Sequence, residues 1–309
     1  MAAVEEPPLI AIVGVTASGK SDLALDLAEA LGGPGAVEIV NADAMQLYRG
    51  MDIGTAKVPA DQRRGVAHHQ LDVLHVRQEA SVAAYQAHAR ADIAAIRARG
   101  RLPVLVGGSG LYVRAVLDQL EFPGTDPAVR AGLEVRAAEE GPDALHVALA
   151  ELDPPAAAAI DPRNTRRLVR ALEVITLTGR PFSARLPEHV YALPAVQLAV
   201  DVPRLDLDGR IAARAAWMMA GGLLEETARL LDEGLAESPT AARAVGYAQA
   251  MDVLAGRSTP AEAVDAVALA TRQLARRQEK WFRRDPRIRW LPRGDPDTVL
   301  AAALRTLGR

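Results

Sequence analysis

The sequence contains no cysteine, which excludes disulfides, thiolate zinc sites and a cysteine nucleophile and fits the reducing cytoplasm. No apolar run approaches the ~20 residues that span a bilayer, and the opening MAAVEEPP is acidic where a targeting segment would be basic. A cytoplasmic chain with no membrane partner is expected. An excess of one charge is also missing: 36 Lys+Arg face 39 Asp+Glu, for a net charge of −3. That argues against wholesale polyanion binding but leaves room for a local basic face. Lysine itself is scarce, since Lys20, Lys57 and Lys280 are the only three among those 36 basic residues. There is no internal repeat. With 309 residues, half of them apolar, the chain can fill one large domain or a core with a smaller companion.

One of the three lysines stands in GVTASGKSD, Gly14 to Asp22, directly after the apolar run LIAIV. The stretch fits G-x-x-x-x-G-K-[ST], with Gly14, Gly19, Lys20 and Ser21 in the diagnostic places. The context agrees: LIAIV reads as a buried strand, and Leu23, Leu27 and Leu31 recur at the spacing of one helix seam. Strand, glycine loop and helix N-terminus together make an anion site, because successive N–H groups and the helix dipole face the ligand and Lys20 adds a full charge. Ser21 can ligate Mg²⁺. The bland alternative, an ordinary glycine-rich turn, does not require all these positions at once.

Strand and helix alternate through the first third of the chain: LIAIV, the Leu23–Leu31 helix, AVEIV, a helix around Tyr85 to Arg99, and LPVLV. This is the pattern of a parallel sheet with helical crossovers. AVEIV runs into NADAMQLYRG and LPVLV into GGSG, so these loops and the phosphate loop are expected to converge at the carboxyl ends of the strands. From about Arg114 to Ala195 the sequence reads as several helices broken by FPGTDP, EEGP, LDPP and IDPRN. VQLAVDV then restores a strand, and IRWLP supplies a last one. The expected fold is α/β: a phosphate-loop kinase-like parallel sheet core, residues 1–113 and 196–309, with an inserted all-helical subdomain, residues 114–195.

Within NADAMQLYRGMDIGTAK, Asp43 lies just past a strand and Asp52 nine residues on. A carboxylate there could orient Mg²⁺ or deprotonate an acceptor hydroxyl; equally, Asp43 could cap a helix beginning at Met45. His68 and His69 are adjacent, so their side chains diverge in an extended chain and make no simple metal pair. In PRNTRRLVRALEVI, helical spacing sets Arg163, Arg166, Arg167 and Arg170 on one face and Leu168, Leu172 and Ile175 on the other. Such a face is usually solvated, yet only Glu173 balances it within the helix, which suits a phosphate backbone. ATRQLARRQEKWFRRDPR gathers six more cations, Arg272 to Arg284, around Trp281 and Phe282, aromatics that read as core anchors of an amphipathic helix.

Taken together, GVTASGKS, DAMQLYRGMDIGTAK, HHQLD, VGGSGLY, RLVRALEV, RAVGYAQ and ATRQLARRQ, in this order, resemble the tRNA dimethylallyltransferase family, from Ile10 to about Leu291. The resemblance implies transfer of a dimethylallyl group from dimethylallyl diphosphate to N6 of adenosine 37 in tRNAs reading codons that begin with U. It implies that Gly14, Val15, Thr16, Ala17, Ser18, Gly19, Lys20 and Ser21 bind the donor diphosphate, with Mg²⁺ at Ser21. Asp43 would be the base, Thr16 would stand near the reacting end and Arg214 would assist the departing diphosphate. The tRNA-facing positions would be Asp43, Ala44, Met45 and Gln46; Ser109 and Arg130; Arg166, Arg167, Leu168, Val169 and Arg170; and Arg243, Ala244, Val245, Gly246, Tyr247 and Ala248. The expected partner is the tRNA anticodon stem-loop, on which the helical insertion closes, and the expected state is monomeric.

Four positions depart from the common pattern: Val15 and Val58 where many members have Pro, Ser21 where many have Thr, and Ala44 where many have Ser. With no cysteine, the zinc finger of eukaryotic relatives is missing. Three other functions compete. A small-molecule kinase needs ATP and usually paired lid arginines, a non-catalytic RNA-binding module would leave Asp43 as a cap, and a prenyltransferase acting on AMP would have no use for a helical insertion.

Overall fold

The computed structural model describes residues 7–183, 189–292 and 294–308. The chain forms two compact units, one from the stretches up to Leu117 and from Tyr191 onward, the other from Asp118 to Val190.

The first unit is organised by a six-stranded, all-parallel sheet: β1 (Leu9–Val13), β2 (Val37–Asn41), β3 (His68–His69), β4 (Leu102–Gly107), β5 (Ala195–Val200) and β6 (Ile288–Leu291), in the order β3-β2-β4-β1-β5-β6. In the register, Ile10 lies beside Val104 and Val196, and Ile39 beside Val104 and His68. Helices cover both faces, so the strands are apolar on both sides, and the period of two sorts their side chains. Leu9, Ala11 and Val13 pack against α2 (Val82–Ala98) and α3 (Gly110–Leu117), while Ile10 and Ile12 pack against α1 (Lys20–Ala30) and the C-terminal helix α12 (Pro296–Thr306). Four helices of the second half, α8 (Arg204–Ala220), α9 (Leu223–Asp232), α10 (Tyr247–Leu254) and α11 (Pro260–Phe282), bury two further clusters. One holds Tyr48, Met51, Leu230 and Tyr247; the other joins Val15 and Ala17 of the phosphate loop to Leu207, Ile211 and Ala275.

Three local expectations change. The two-residue strand β3 was not foreseen; it confirms an extended His68–His69, whose Nδ1 and Nε2 bond separately to the Val66 carbonyl and Glu38. No helix begins at Met45, because the segment after β2 is held by a parallel bridge between Tyr48 and Leu74 and by the Leu74 N–H to Leu47 carbonyl bond (2.8 Å). The expected domain edge at residue 114 would cut α3, which continues to Leu117 with Ala115, Val116 and Leu117 fully buried.

The second unit comprises α4 (Pro127–Glu140), α5 (Pro142–Leu152), α6 (Pro154–Ala159) and α7 (Thr165–Thr178). Each Pro at N1 follows from the breaker segments of the sequence. Asp126, Asp153 and Asn164 accept first-turn N–H groups as caps, and Gly179 ends α7 in the left-handed conformation at φ 64°. Leu145, Leu149, Leu168, Val169 and Leu172 form its core. Arg163 lies before the helix and pairs with Asp161 (3.0 Å), so it does not share the α7 face with Arg166 and Arg167.

Candidate active site

The phosphate loop joins β1 to α1 and turns at Gly14 (φ 137°), Ala17 (φ 61°) and Gly19 (φ 86°). Ala17 is not a glycine, and a side chain held at positive φ by the burial of Val15 and Ala17 against α8 and α11 is strain of the kind kept at binding loops. The Ser18 hydroxyl is buried without a hydrogen-bond partner, an orphan that calls for an acceptor or donor from a ligand. Lys20 Nζ donates to the loop's own Val15 carbonyl at 3.0 Å. Burial lowers the Lys20 ammonium to about 8; the Asp43 carboxylate opposes that shift and the Arg214 guanidinium adds to it. Burial likewise lowers Arg214, with Asp22 opposing. Thus the β2 loop and α8 bring Asp43 and Arg214 within electrostatic reach of Lys20 on α1.

Asp43 is placed by Asn41 at the end of β2. The Asn41 Oδ1 accepts the Asp43 N–H (3.0 Å), while its Nδ2 donates to the Asp43 carbonyl (3.0 Å) and to the Gln70 carbonyl (2.9 Å). The carboxylate accepts the Met45 N–H at Oδ1 (2.9 Å), a local Asx turn rather than a helix cap. Its Oδ2 has no hydrogen-bond partner among the described residues. One oxygen anchored and the other open is the arrangement a base requires.

A cavity of about 630 Å³ is lined by Thr16, Lys20, Ser21, Asp43, Gln46 and Arg214, among others. Gly14, Val15 and Ser18 are buried and are not among the residues that line it. Ala44 donates its N–H to Ser109 Oγ (3.1 Å), a main-chain bond that does not depend on the side chain at this position. Other candidate residues divide by exposure. Arg166, Arg167 and Arg243 are exposed, whereas Leu168, Val169, Ala244, Gly246 and Tyr247 are buried, and Val245 and Ala248 are half-buried. Arg130 and Arg170 both bond the fully buried Glu173 (2.8 and 2.7 Å), and Arg170 also donates to the Pro123 and Gly124 carbonyls.

Four groups to which the sequence assigned no role support the site. Glu226 on α9 accepts the N–H groups of Asp52, Ile53 and Gly54 and the Tyr247 hydroxyl (2.5 Å), which is pushed well up by burial and by this carboxylate. A Cβ on Gly54 would lie 2.4 Å from the Tyr247 ring, so RAVGYAQ braces the GMDIGTAK loop. Lys57 is buried and pairs with Asp52 and Asp72, both at 2.6 Å. Trp217, one turn after Arg214, lines the cavity while largely exposed. Gln278 on α11 accepts the Thr16 N–H (2.8 Å) and donates to the Gly108 carbonyl (3.0 Å). Lys57 and Gln278 lie in stretches marked by the sequence, GMDIGTAK and ATRQLARRQ, but neither was given a role there, and Glu226 and Trp217 lie outside all of them.

A strained glycine loop at the carboxyl end of a parallel sheet, with a carboxylate and two cations on the same cavity, has the form of a phosphate-loop protein. Residues 46–285 match the family model described as IPP transferase. The chain is 59% identical over 292 residues to a tRNA dimethylallyltransferase of Thermobifida fusca, covering 94% of this chain and 92% of that one. It is 57% identical over 304 residues to a protein of the same name from Kineococcus radiotolerans, covering 97% and 95%. The crystal structure of a full-length tRNA isopentenylpyrophosphate transferase from Bacillus halodurans superposes with a TM-score of 0.68 at 38% identity, covering 97% of this chain and 96% of that one. This chain therefore belongs to the IPP transferase family and is an enzyme, a transferase.

Proposed function

We propose that the chain transfers the dimethylallyl group of dimethylallyl diphosphate to the exocyclic N6 of adenosine 37 in tRNAs reading codons that begin with U, leaving N6-isopentenyladenosine and diphosphate. The observation that carries this reading is the convergence of Lys20, Asp43 and Arg214 on one cavity. The adenine amine is a poor nucleophile because its lone pair is delocalised into the ring. Asp43 Oδ2 orients it and accepts its proton as the N6–C1 bond forms. The C1–O electron pair leaves with the diphosphate, whose growing charge meets Lys20, Arg214 and the Thr16 hydroxyl. Lys20 exchanges the Val15 carbonyl for a diphosphate oxygen when the donor binds.

Mg²⁺ fits this donor set. Ser21 offers a hard hydroxyl oxygen on the cavity wall, and a phosphate-loop ion takes its remaining ligands from phosphate and water rather than from a protein cage. Among the described residues no cluster of three His, Cys, Asp or Glu is placed to hold a metal by itself. The ion would neutralise charge on the diphosphate.

The acceptor is the anticodon stem-loop, engaged by the exposed Arg166, Arg167 and Arg243 through phosphates and by the Asp43–Gln46 loop near the base. Incubation with labelled dimethylallyl diphosphate and either bulk tRNA or AMP, followed by nucleoside analysis, tests the reading. Label in N6-isopentenyladenosine from tRNA alone supports it. Transfer to AMP, or phosphoryl transfer from ATP without prenyl transfer, contradicts it.

A further inference from the structure

We infer that Gln278 is a positioning residue that sets the Thr16 end of the phosphate loop for departure of the diphosphate. Its amide spans two segments far away in sequence: Oε1 takes the Thr16 N–H at 2.8 Å and Nε2 gives a hydrogen bond to the Gly108 carbonyl at 3.0 Å. The seat is tight. A Cβ on Gly108 would come within 2.7 Å of Gln278 Nε2, 3.1 Å of the Gly14 carbonyl oxygen and 3.5 Å of Lys20 Cε, so the loop after β4 lies directly on the phosphate loop and Gln278 joins the two. One turn along α11, Trp281 closes on Gly110 at the start of α3, where a Cβ would fall 2.2 Å from the indole Nε1. The helix thus bears on the β4–α3 connection at two successive turns.

The amide serves both ends at once, because Thr16 N–H requires an acceptor and Gly108 C=O requires a donor. With its N–H fixed from outside the loop, Thr16 keeps a set backbone direction, and it lines the cavity together with Lys20 and Arg214. A misplacement of about 1 Å at a group that acts in the transition state costs rate rather than affinity. The inference rests on the role of Thr16 proposed above.

The test is a double-mutant cycle with Gln278→Met, close in length but without hydrogen bonds, and Thr16→Val, close in shape but without the hydroxyl. Gln278→Asn, one methylene shorter, serves as the second probe of the bridge. Each variant is checked for an unchanged melting transition, for binding of inorganic diphosphate and for steady-state transfer to tRNA. The expected result is a fall in kcat of about 10-fold or more for Gln278→Met or Gln278→Asn, with KM for tRNA and diphosphate affinity within about 3-fold. In the Thr16→Val background the Gln278 change should cost little more, since coupled groups are non-additive. Full additivity, or a loss confined to tRNA KM, overturns the inference. If Thr16→Val alone turns over normally, the Thr16 role fails, and the inference falls with it.

Discussion

Lys20 is both the charge the donor needs and a group whose charge is at risk. In the free protein burial brings it to about 8, and an anion favours its protonated form, so binding must raise that value again. Diphosphate affinity should therefore be fully expressed below about pH 8 and decline above it. Titration calorimetry with inorganic diphosphate from about pH 6.5 to about 9.5 checks this, read as the difference between wild type and Lys20→Met because the ligand itself titrates. Equal pH slopes would remove Lys20 from the site. Replacing Lys20 by Ala should also lower turnover by roughly 10²-fold or more, the scale of a lost transition-state electrostatic contact, with tRNA affinity nearly unchanged. The importance of this lysine was legible in the sequence because the loop is a contiguous pattern. Whether Asp43 was a base or a cap was not legible: position alone allowed both, and the choice turns on Asn41 gripping its backbone and Met45 taking one oxygen.

At the scale of the element, α7 carries two kinds of arginine that a helical wheel cannot distinguish. Arg166 and Arg167 are exposed, and their replacement by Ala should reduce the salt dependence of tRNA binding by about one unit of slope each at most. Filter binding across a salt series measures it. Arg170 serves the fold instead. Burial would raise the Glu173 carboxyl, but hydrogen bonds from Arg130 and Arg170 outweigh it and hold it below the usual range. Arg170→Ala leaves that buried carboxylate with one guanidinium fewer, and a cost of about 1–3 kcal/mol should appear as a lower melting temperature of the chain. An unchanged transition would return Arg170 to the surface set. The sequence marked Glu173 as the sole counter-charge of the helix, but its burial depends on contacts with Arg130 and Asp126, more than forty residues upstream.

Across the whole molecule, strands with apolar residues on both faces, at regular intervals from the loops, made the parallel core readable before any coordinate. The bracing of the site was less accessible, since Glu226, Lys57 and Gln278 act through partners up to 262 residues away. Glu38 on β2 belongs with them. Burial would raise its carboxyl, yet hydrogen bonds from Arg99, His69 and Arg101 pull it down to about 2. A carboxyl depressed in the folded state contributes stability that is complete above its unfolded value of 4.5 and lost as pH falls toward 2. Glu38→Gln should thus melt at a lower temperature at neutral pH and show a flatter acid limb; an identical Tm–pH curve would count against the cluster.

The account centres on a phosphate loop serving a prenyl donor while Asp43 takes the proton from the acceptor amine, and single-turnover transfer by Asp43→Asn tests that most directly. The substitution keeps the shape and the turn-forming oxygen while removing the basicity. With enzyme in excess over tRNA and labelled dimethylallyl diphosphate saturating, the account predicts a rate lower by roughly 10²-fold or more, with tRNA and donor affinities and the melting temperature unchanged. Transfer at the wild-type rate by a folded Asp43→Asn, with Asp43→Ala merely less stable, would contradict it.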